Sequence, residues 1–182
     1  MQRLASQLPD VVVLEPRVFR DDRGFFLELA NRRTLAEHGI DADFVQDNLS
    51  RSTRGTVRGL HYQIEQPQGK LVTVLSGRIV DVAVDLRRSS PTFGQSAVVE
   101  LDDESRRMVY VPPGFAHGFC VLSESVDFLY KCTDYYAPQH ERAIRWDDPD
   151  LAIDWPAEIA AQPILSEKDR DAEAFRDAET YD

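Results

Sequence analysis

Cysteine is nearly absent: only Cys120 and Cys132 occur among 182 residues, too few for a disulfide framework and without the paired Cys-x-x-Cys spacing of a zinc site. Both read as packing residues. No long apolar run follows Met1-Gln2-Arg3-Leu4-Ala5-Ser6, so neither a secretory signal nor a membrane anchor is expected, and the cytoplasm is the expected compartment. The sequon Asn48-Leu49-Ser50 then has no secretory route behind it and is discounted. Positive charge is also short. Against 32 Asp and Glu stand 21 Lys and Arg, a net charge of −11, which disfavours nucleic acid and anionic membrane surfaces as partners. No Gly-x-Ser-x-Gly elbow, internal repeat, low-complexity tract or interdomain linker appears. The length fits one domain spanning residues 1–182, with a core over roughly 10–166 and a C-terminal helix or tail over 167–182.

What the chain does have is many short β-patterned runs between turn residues, with two helical segments. Val11 to Leu14 and Phe25 to Ala30 read as strands joined through Asp21-Asp22-Arg23-Gly24. Asn31 to His38 reads as a short helix, capped by Asn31 and stopped by Gly39. Lys70 to Leu75 and Ile79 to Asp85 flank Ser76-Gly77 as a hairpin, and Gln95 to Leu101 and Arg106 to Val111 flank Asp102-Asp103-Glu104-Ser105 as another. Phe115 to Val121 and Val126 to Thr133 follow as strands, and Glu167 to Ala178 reads as a C-terminal helix. Regularly spaced short strands predict an all-β sandwich, jelly roll or small barrel.

Within this pattern Thr56-Val57-Arg58-Gly59-Leu60-His61-Tyr62-Gln63 stands out. Strict alternation puts Val57, Gly59, His61 and Gln63 on one face and Arg58, Leu60 and Tyr62 on the other. Gly59 weakens a strand, which marks a bulge or a close approach. Taken alone, His61 reads first as a core histidine satisfied by a neighbour, and only its company shifts that reading. Three other runs also aim polar groups inward: Lys70 with Val72 and Val74, His117 between Phe115 and Phe119, and Tyr130 with Val126, Phe128 and Cys132. Each has its own plain reading, a snorkelling lysine or a hydrogen-bonded core tyrosine, but a buried polar group must be partnered or functional, and four together are hard to place in a core.

Metal binding is the minority reading. No second histidine falls at period 2 from His61, and His38 and His140 lie in a helix and a loop. Acid–base chemistry at carbon remains: a histidine base near neutral pKa, a tyrosine proton donor, and Lys70 or His117 to stabilise an enolate oxygen.

Asp22-Arg23-Gly24-Phe25-Phe26, Gln46-Asp47-Asn48, Arg58-Gly59-Leu60-His61-Tyr62-Gln63, Pro112-Pro113-Gly114-Phe115-Ala116-His117-Gly118-Phe119 and Ser166-Glu167-Lys168-Asp169 resemble, in order and spacing, the dTDP-4-dehydrorhamnose 3,5-epimerases. The resemblance spans nearly the whole chain. It implies a cupin-type jelly roll, a homodimer, no metal or organic cofactor, and a dTDP-4-keto-6-deoxyhexose substrate. By the same resemblance His61 is the general base, Asp169 the carboxylate that pairs with it, Tyr130 the acid and Lys70 the group held against the keto oxygen. Arg23, Arg58 and Lys168 resemble phosphate and sugar contacts, His117 a contact near the sugar, and Tyr136 the aromatic on which thymine stacks. Glu28, Gln46, Asn48 and Glu141 resemble residues lining the nucleotide side, and Phe26 reads either as packing against the base or as core. Relatives that invert one carbon, or that move the keto group, keep similar scaffolds. A metal-dependent cupin enzyme and a non-catalytic sugar-nucleotide binder stand as alternatives from other classes.

Overall fold

Apolar residues at period 2 resolve into two facing sheets in the computed structural model, which describes residues 1–182. In chain order the elements are β1 (Gln2–Leu4), β2 (Val12–Glu15), β3 (Phe19–Asp21), β4 (Gly24–Phe26), α1 (Arg32–Glu37), β5 (Gln46–Thr53), β6 (Val57–Gln63), β7 (Lys70–Ser76) and β8 (Arg78–Asp85). There follow β9 (Ser96–Asp102), β10 (Met108–Val111), β11 (Phe115–Val121), β12 (Ser125–Cys132), β13 (Glu141–Ala143), α2 (Ala157–Ala161) and α3 (Glu167–Arg170). One sheet has the order β1-β2-β10-β7-β12-β5, the other β13-β6-β11-β8-β9, and β3-β4 form a separate ribbon. This is the all-β jelly-roll sandwich with short peripheral helices that the sequence predicts.

The core lies in three layers. Between the sheets pack Val72, Val74, Ile79, Ala83, Phe115, Phe119, Val126 and Phe128. Outside the five-stranded sheet, Val80, Val82, Val84, Leu60 and Tyr62 bury against Ile144, Trp146, Leu151, Trp155 and Ile159 of the C-terminal region. Outside the other sheet, α1 lays Leu35 over Val12, Leu14, Leu71 and Met108. Because β8 is covered on both faces, its residues from Ile79 to Val84 are apolar on either side with the single exception of Asp81. No helix is long and apolar enough to cross a membrane.

Several expected pairings are corrected. Neither Lys70 to Leu75 with Ile79 to Asp85, nor Gln95 to Leu101 with Arg106 to Val111, forms a hairpin: β7 and β10 lie in the six-stranded sheet and pair with each other, while β8 and β9 pair in the five-stranded one. Turn residues specify that the chain reverses, not that it returns to the same sheet. At Gly77 (φ +91°) the chain crosses between sheets so tightly that a Cβ would stand 2.2 Å from the Ser125 carbonyl. Across Asp21-Asp22-Arg23-Gly24 the hairpin is β3 with β4, not Val11 to Leu14 with Phe25 to Ala30, because β2 pairs with β1 and β10. The C-terminal helix is only α3 and a later 3-10 turn, Phe175–Asp177, since the chain between them extends to pair Glu173 with Ile144. α1 forms as expected, with Asn31 Oδ1 accepting from the Arg33 and Thr34 amides.

A polar knot fixes the end of β8. Asp85, fully buried, accepts from the Arg87 guanidinium at 2.7 and 2.9 Å and from the Ser90 and Thr92 hydroxyls at 2.6 and 2.7 Å. Burial alone would push its carboxyl up; these bonds outweigh burial and hold it at about 2. A depressed folded value means stabilisation that is complete above the ordinary carboxylate range and lost as pH falls through the folded value. Asp85→Asn is therefore expected to lower stability at pH 7 by about 2 kcal/mol, with the gap to the parent closing between about pH 4 and pH 2. Urea titrations at pH 7 and pH 3 check it; an equal gap at both refutes it.

Candidate active site

β6 carries the central residue, and its local geometry departs from simple alternation. The β6–β11 register pairs His61 with His117 but Arg58 with Phe119, so β6 holds one extra residue there. Gly59, at φ +117°, is the bulge. A Cβ on it would meet Gly118 Cα at 2.6 Å and the His117 carbonyl at 2.7 Å. The bulge reverses parity, which corrects the expected faces. Val57 joins Leu60 and Tyr62 in the outer cluster, while Arg58 lines the same inner recess as His61.

His61 Nε2 lies 2.5 Å from Asp169 Oδ1, and Asp169 is 3% exposed. The carboxylate is positioned by its own helix. Ser166 caps α3 by accepting from the Asp169 amide at 3.1 Å, and its hydroxyl donates to Asp169 Oδ2 at 2.7 Å. Burial raises the Asp169 carboxyl, but the bonds from His61, Ser166 and the Gly59 amide prevail and hold it below its ordinary value. With Nε2 engaged, Nδ1 is the nitrogen left to accept a proton.

Across the sandwich, on the six-stranded sheet, β7 and β12 present Lys70 and Tyr130. Desolvation pushes the Lys70 ammonium down, opposed through space by the carboxylates of Glu141 and Asp81. Desolvation likewise pushes the Tyr130 phenol up, keeping it protonated. The Tyr130 ring lies 5.8 Å from that of Phe128 between centroids, and His117 stacks on the same Phe128 at 6.2 Å. His117 is itself paired, Nε2 to Asp81 Oδ2 at 2.8 Å, both buried.

Two connected spaces share His61, Lys70 and Tyr130: an inner recess of about 130 Å³ with Arg58, His117, Phe119 and Phe128, and an outer cleft of about 370 Å³ with Gln46, Asn48, Gln63, Tyr136 and Glu141. At the rim the Tyr136 hydroxyl donates to Glu141 Oε2 at 2.8 Å, and Lys168 forms an ion pair with the same carboxylate. No group of three or more His, Cys, Asp or Glu side chains is assembled that could hold a metal. The site is thus a polar, two-chambered pocket with His61 on one wall and Tyr130 and Lys70 on the other.

The family model for dTDP-4-dehydrorhamnose 3,5-epimerase matches residues 5–177. The chain belongs to this family of isomerases. It is 59% identical over 182 residues to a dTDP-4-dehydrorhamnose 3,5-epimerase of Pseudomonas aeruginosa, covering 100% of this chain and 99% of that one. A solved structure of dTDP-6-deoxy-D-glucose-3,5-epimerase from Legionella pneumophila, in complex with dTDP-4-keto-L-rhamnose, superposes with a TM-score of 0.93 at 49% identity, covering 98% and 94% of the two chains. ChmJ, a 3'-monoepimerase of Streptomyces bikiniensis solved with dTDP-quinovose, superposes at 0.85 with 34% identity, covering 96% and 87%.

Of the positions expected from the epimerase resemblance, His61, Lys70, Tyr130, His117, Arg58, Gln46, Asn48, Tyr136 and Glu141 line the two chambers, with Asp169 behind His61 and Lys168 at the rim. Arg23, Phe26 and Glu28 do not join them. Arg23 and Phe26 lie on the β3–β4 ribbon around a separate hollow, Phe26 is 71% exposed, and Glu28 accepts from Asn31 Nδ2 at 3.2 Å. Asp81 and Gln68 are site-building residues that sequence reasoning passed over, and Gln63 and Ser166 stood in its motifs without a role. For Asp81 a signal was present: an aspartate at an inward position of an apolar strand.

Proposed function

We propose that this chain converts dTDP-4-dehydro-6-deoxyglucose to dTDP-4-dehydrorhamnose by inverting both carbons that flank the keto group. The observation that carries this reading is the opposition of His61 and Tyr130 on facing sheets around one recess that also holds Lys70. His61 takes the proton from the carbon next to the ketone, and Asp169 stabilises the imidazolium that forms. The electron pair moves into an enolate whose oxygen meets the Lys70 ammonium. Tyr130 returns a proton to the opposite face, so the carbon inverts. His117, oriented by Asp81, contacts the sugar. Arg58 meets the diphosphate, the rim pair Lys168–Glu141 lies on the nucleotide side with Gln46 and Asn48, and thymine stacks on Tyr136. The reaction needs no metal or organic cofactor in this scheme.

The acting unit is a homodimer in the cytoplasm. Phe19, Phe25 and Phe26 are 50%, 49% and 71% exposed on a two-stranded ribbon, an apolar tip that a monomer has little reason to present to water. Laid over the cleft of a second copy, that ribbon brings Arg23, Phe26 and Glu28 to the nucleotide. The test is proton NMR of the purified protein with dTDP-4-keto-6-deoxyglucose in deuterated water. Exchange at both flanking carbons with a rhamno-configured product is expected. Exchange at one carbon makes it a single-site epimerase, the reading that the likeness to ChmJ favours; exchange at neither refutes epimerase action on this substrate.

A further inference from the structure

The segment 134–137 carries Tyr136 but belongs to no strand or helix, and its backbone is held from outside by three glutamine side chains. Gln68 Nε2 donates to the Asp134 carbonyl at 2.8 Å, and Gln46 Oε1 accepts from the Tyr136 amide at 2.9 Å. Gln63 does more. Its Nε2 donates to the Tyr135 carbonyl at 3.3 Å and to the Gln66 carbonyl at 2.8 Å, while its Oε1 accepts from the Ala137 amide at 2.9 Å. One side chain therefore grips the chain on both sides of Tyr136. Gln63 is 4% exposed and Ala137 5%, so water does not readily replace these bonds. Only a primary amide offers donor and acceptor together at this reach; a carboxylate keeps the bond from Ala137 and loses both donations.

We infer that Gln63 is a positioning residue for Tyr136, and that through this ring it governs affinity for the nucleotide rather than the rate of proton transfer. The inference rests on the stacking role proposed for Tyr136. Gln63 also shares a face with His61 two residues away, so the experiment must separate an action on the base from an action on the ring.

A double-substitution cycle does so, with dTDP affinity read by calorimetry and kcat by NMR for Gln63→Ala, Tyr136→Ala and the pair. Each single change is expected to weaken dTDP binding about tenfold and to raise KM in step, with kcat falling less than about threefold. In the Tyr136→Ala background, Gln63→Ala is expected to add less than about twofold. Multiplying effects in the double variant overturn the inference while leaving the stacking role intact, and so does a fall in kcat with dTDP affinity unchanged. Unchanged dTDP affinity in Tyr136→Ala refutes the stacking role and the inference with it. Should Gln63→Ala fail to fold, Gln63→Met, which keeps the side-chain volume and loses all three bonds, carries the same cycle with a comparable loss of about tenfold.

Discussion

His61→Ala is expected to lower kcat by about 10²–10⁴ and to abolish deuterium uptake at both carbons beside the ketone, while dTDP binding stays within a few fold of the parent. The size follows from what the side chain alone supplies. As the proposed base, His61 has its Nε2 fixed by Asp169 at 2.5 Å, and neither His117 nor His140 is placed to stand in. The His117 Nε2 is bound to Asp81, and His140 ends a 3-10 turn, Pro138–His140, with its Nε2 3.6 Å from Glu65. Binding survives because the contacts assigned to the nucleotide, Gln46, Asn48, Tyr136 and Glu141, line the outer cleft and not the His61 wall alone. Asp169 stays in place without its partner, since Ser166 and the Gly59 amide still hold it. Exchange persisting within about tenfold of the parent rate would remove His61 from the base role.

The inner face of the sandwich was largely legible in the sequence, and the reason is physical. On β7, β11 and β12 a polar residue sits among apolar ones at period 2, so the pleat that buries Val72, Phe119 or Phe128 must also turn Lys70, His117 or Tyr130 toward the cavity. Legibility ended where one residue breaks the period. Gly59 reverses the parity of β6, so alternation counted from His61 put Arg58 on the wrong face, although the glycine itself announced a bulge. Strand pairing was harder still. Residues such as Ser76-Gly77 encode a reversal, and nothing local distinguishes returning to the same sheet from crossing to the facing one when both faces of the next strand are apolar.

Long-range pairs were legible only through the family resemblance. Asp169 stands 108 residues from His61 in a charged helical stretch, where periodicity alone assigns a carboxylate to solvent. Burial of that one group comes from α3 docking against the bulge. That Gln63 and Gln68 hold the Tyr136 segment was invisible, and Gln46 was read only as lining the nucleotide side, because an amide that bonds backbone groups leaves no pattern at the positions it holds. Arg23, Phe26 and Glu28 show the remaining gap, because a resemblance carries a role to a position without saying whether the fold of the single chain brings that position to the cleft.

Tyr130→Phe is expected to separate two events that the parent enzyme couples. The substitution removes one hydroxyl and leaves the ring against Phe128, so the core between the sheets is kept. His61 and Lys70 still form the enolate, and the His61 side chain is 27% exposed, open enough to trade its proton with solvent. Deuterium therefore continues to enter at the carbon, returned to the face it left. Inverted product falls by about 10²–10⁴, because the opposite face has lost its positioned donor. Burial pushes the phenol pKa up, which keeps it in the donating form across neutral pH, so the parent's inversion rate carries no loss from phenol ionisation below about pH 10. Product stereochemistry by NMR, taken in the same tubes as the exchange rates, reads both quantities. Inversion at the parent rate would mean that water or His117 delivers the proton; loss of exchange together with inversion would mean that the hydroxyl acts in forming the enolate rather than in quenching it.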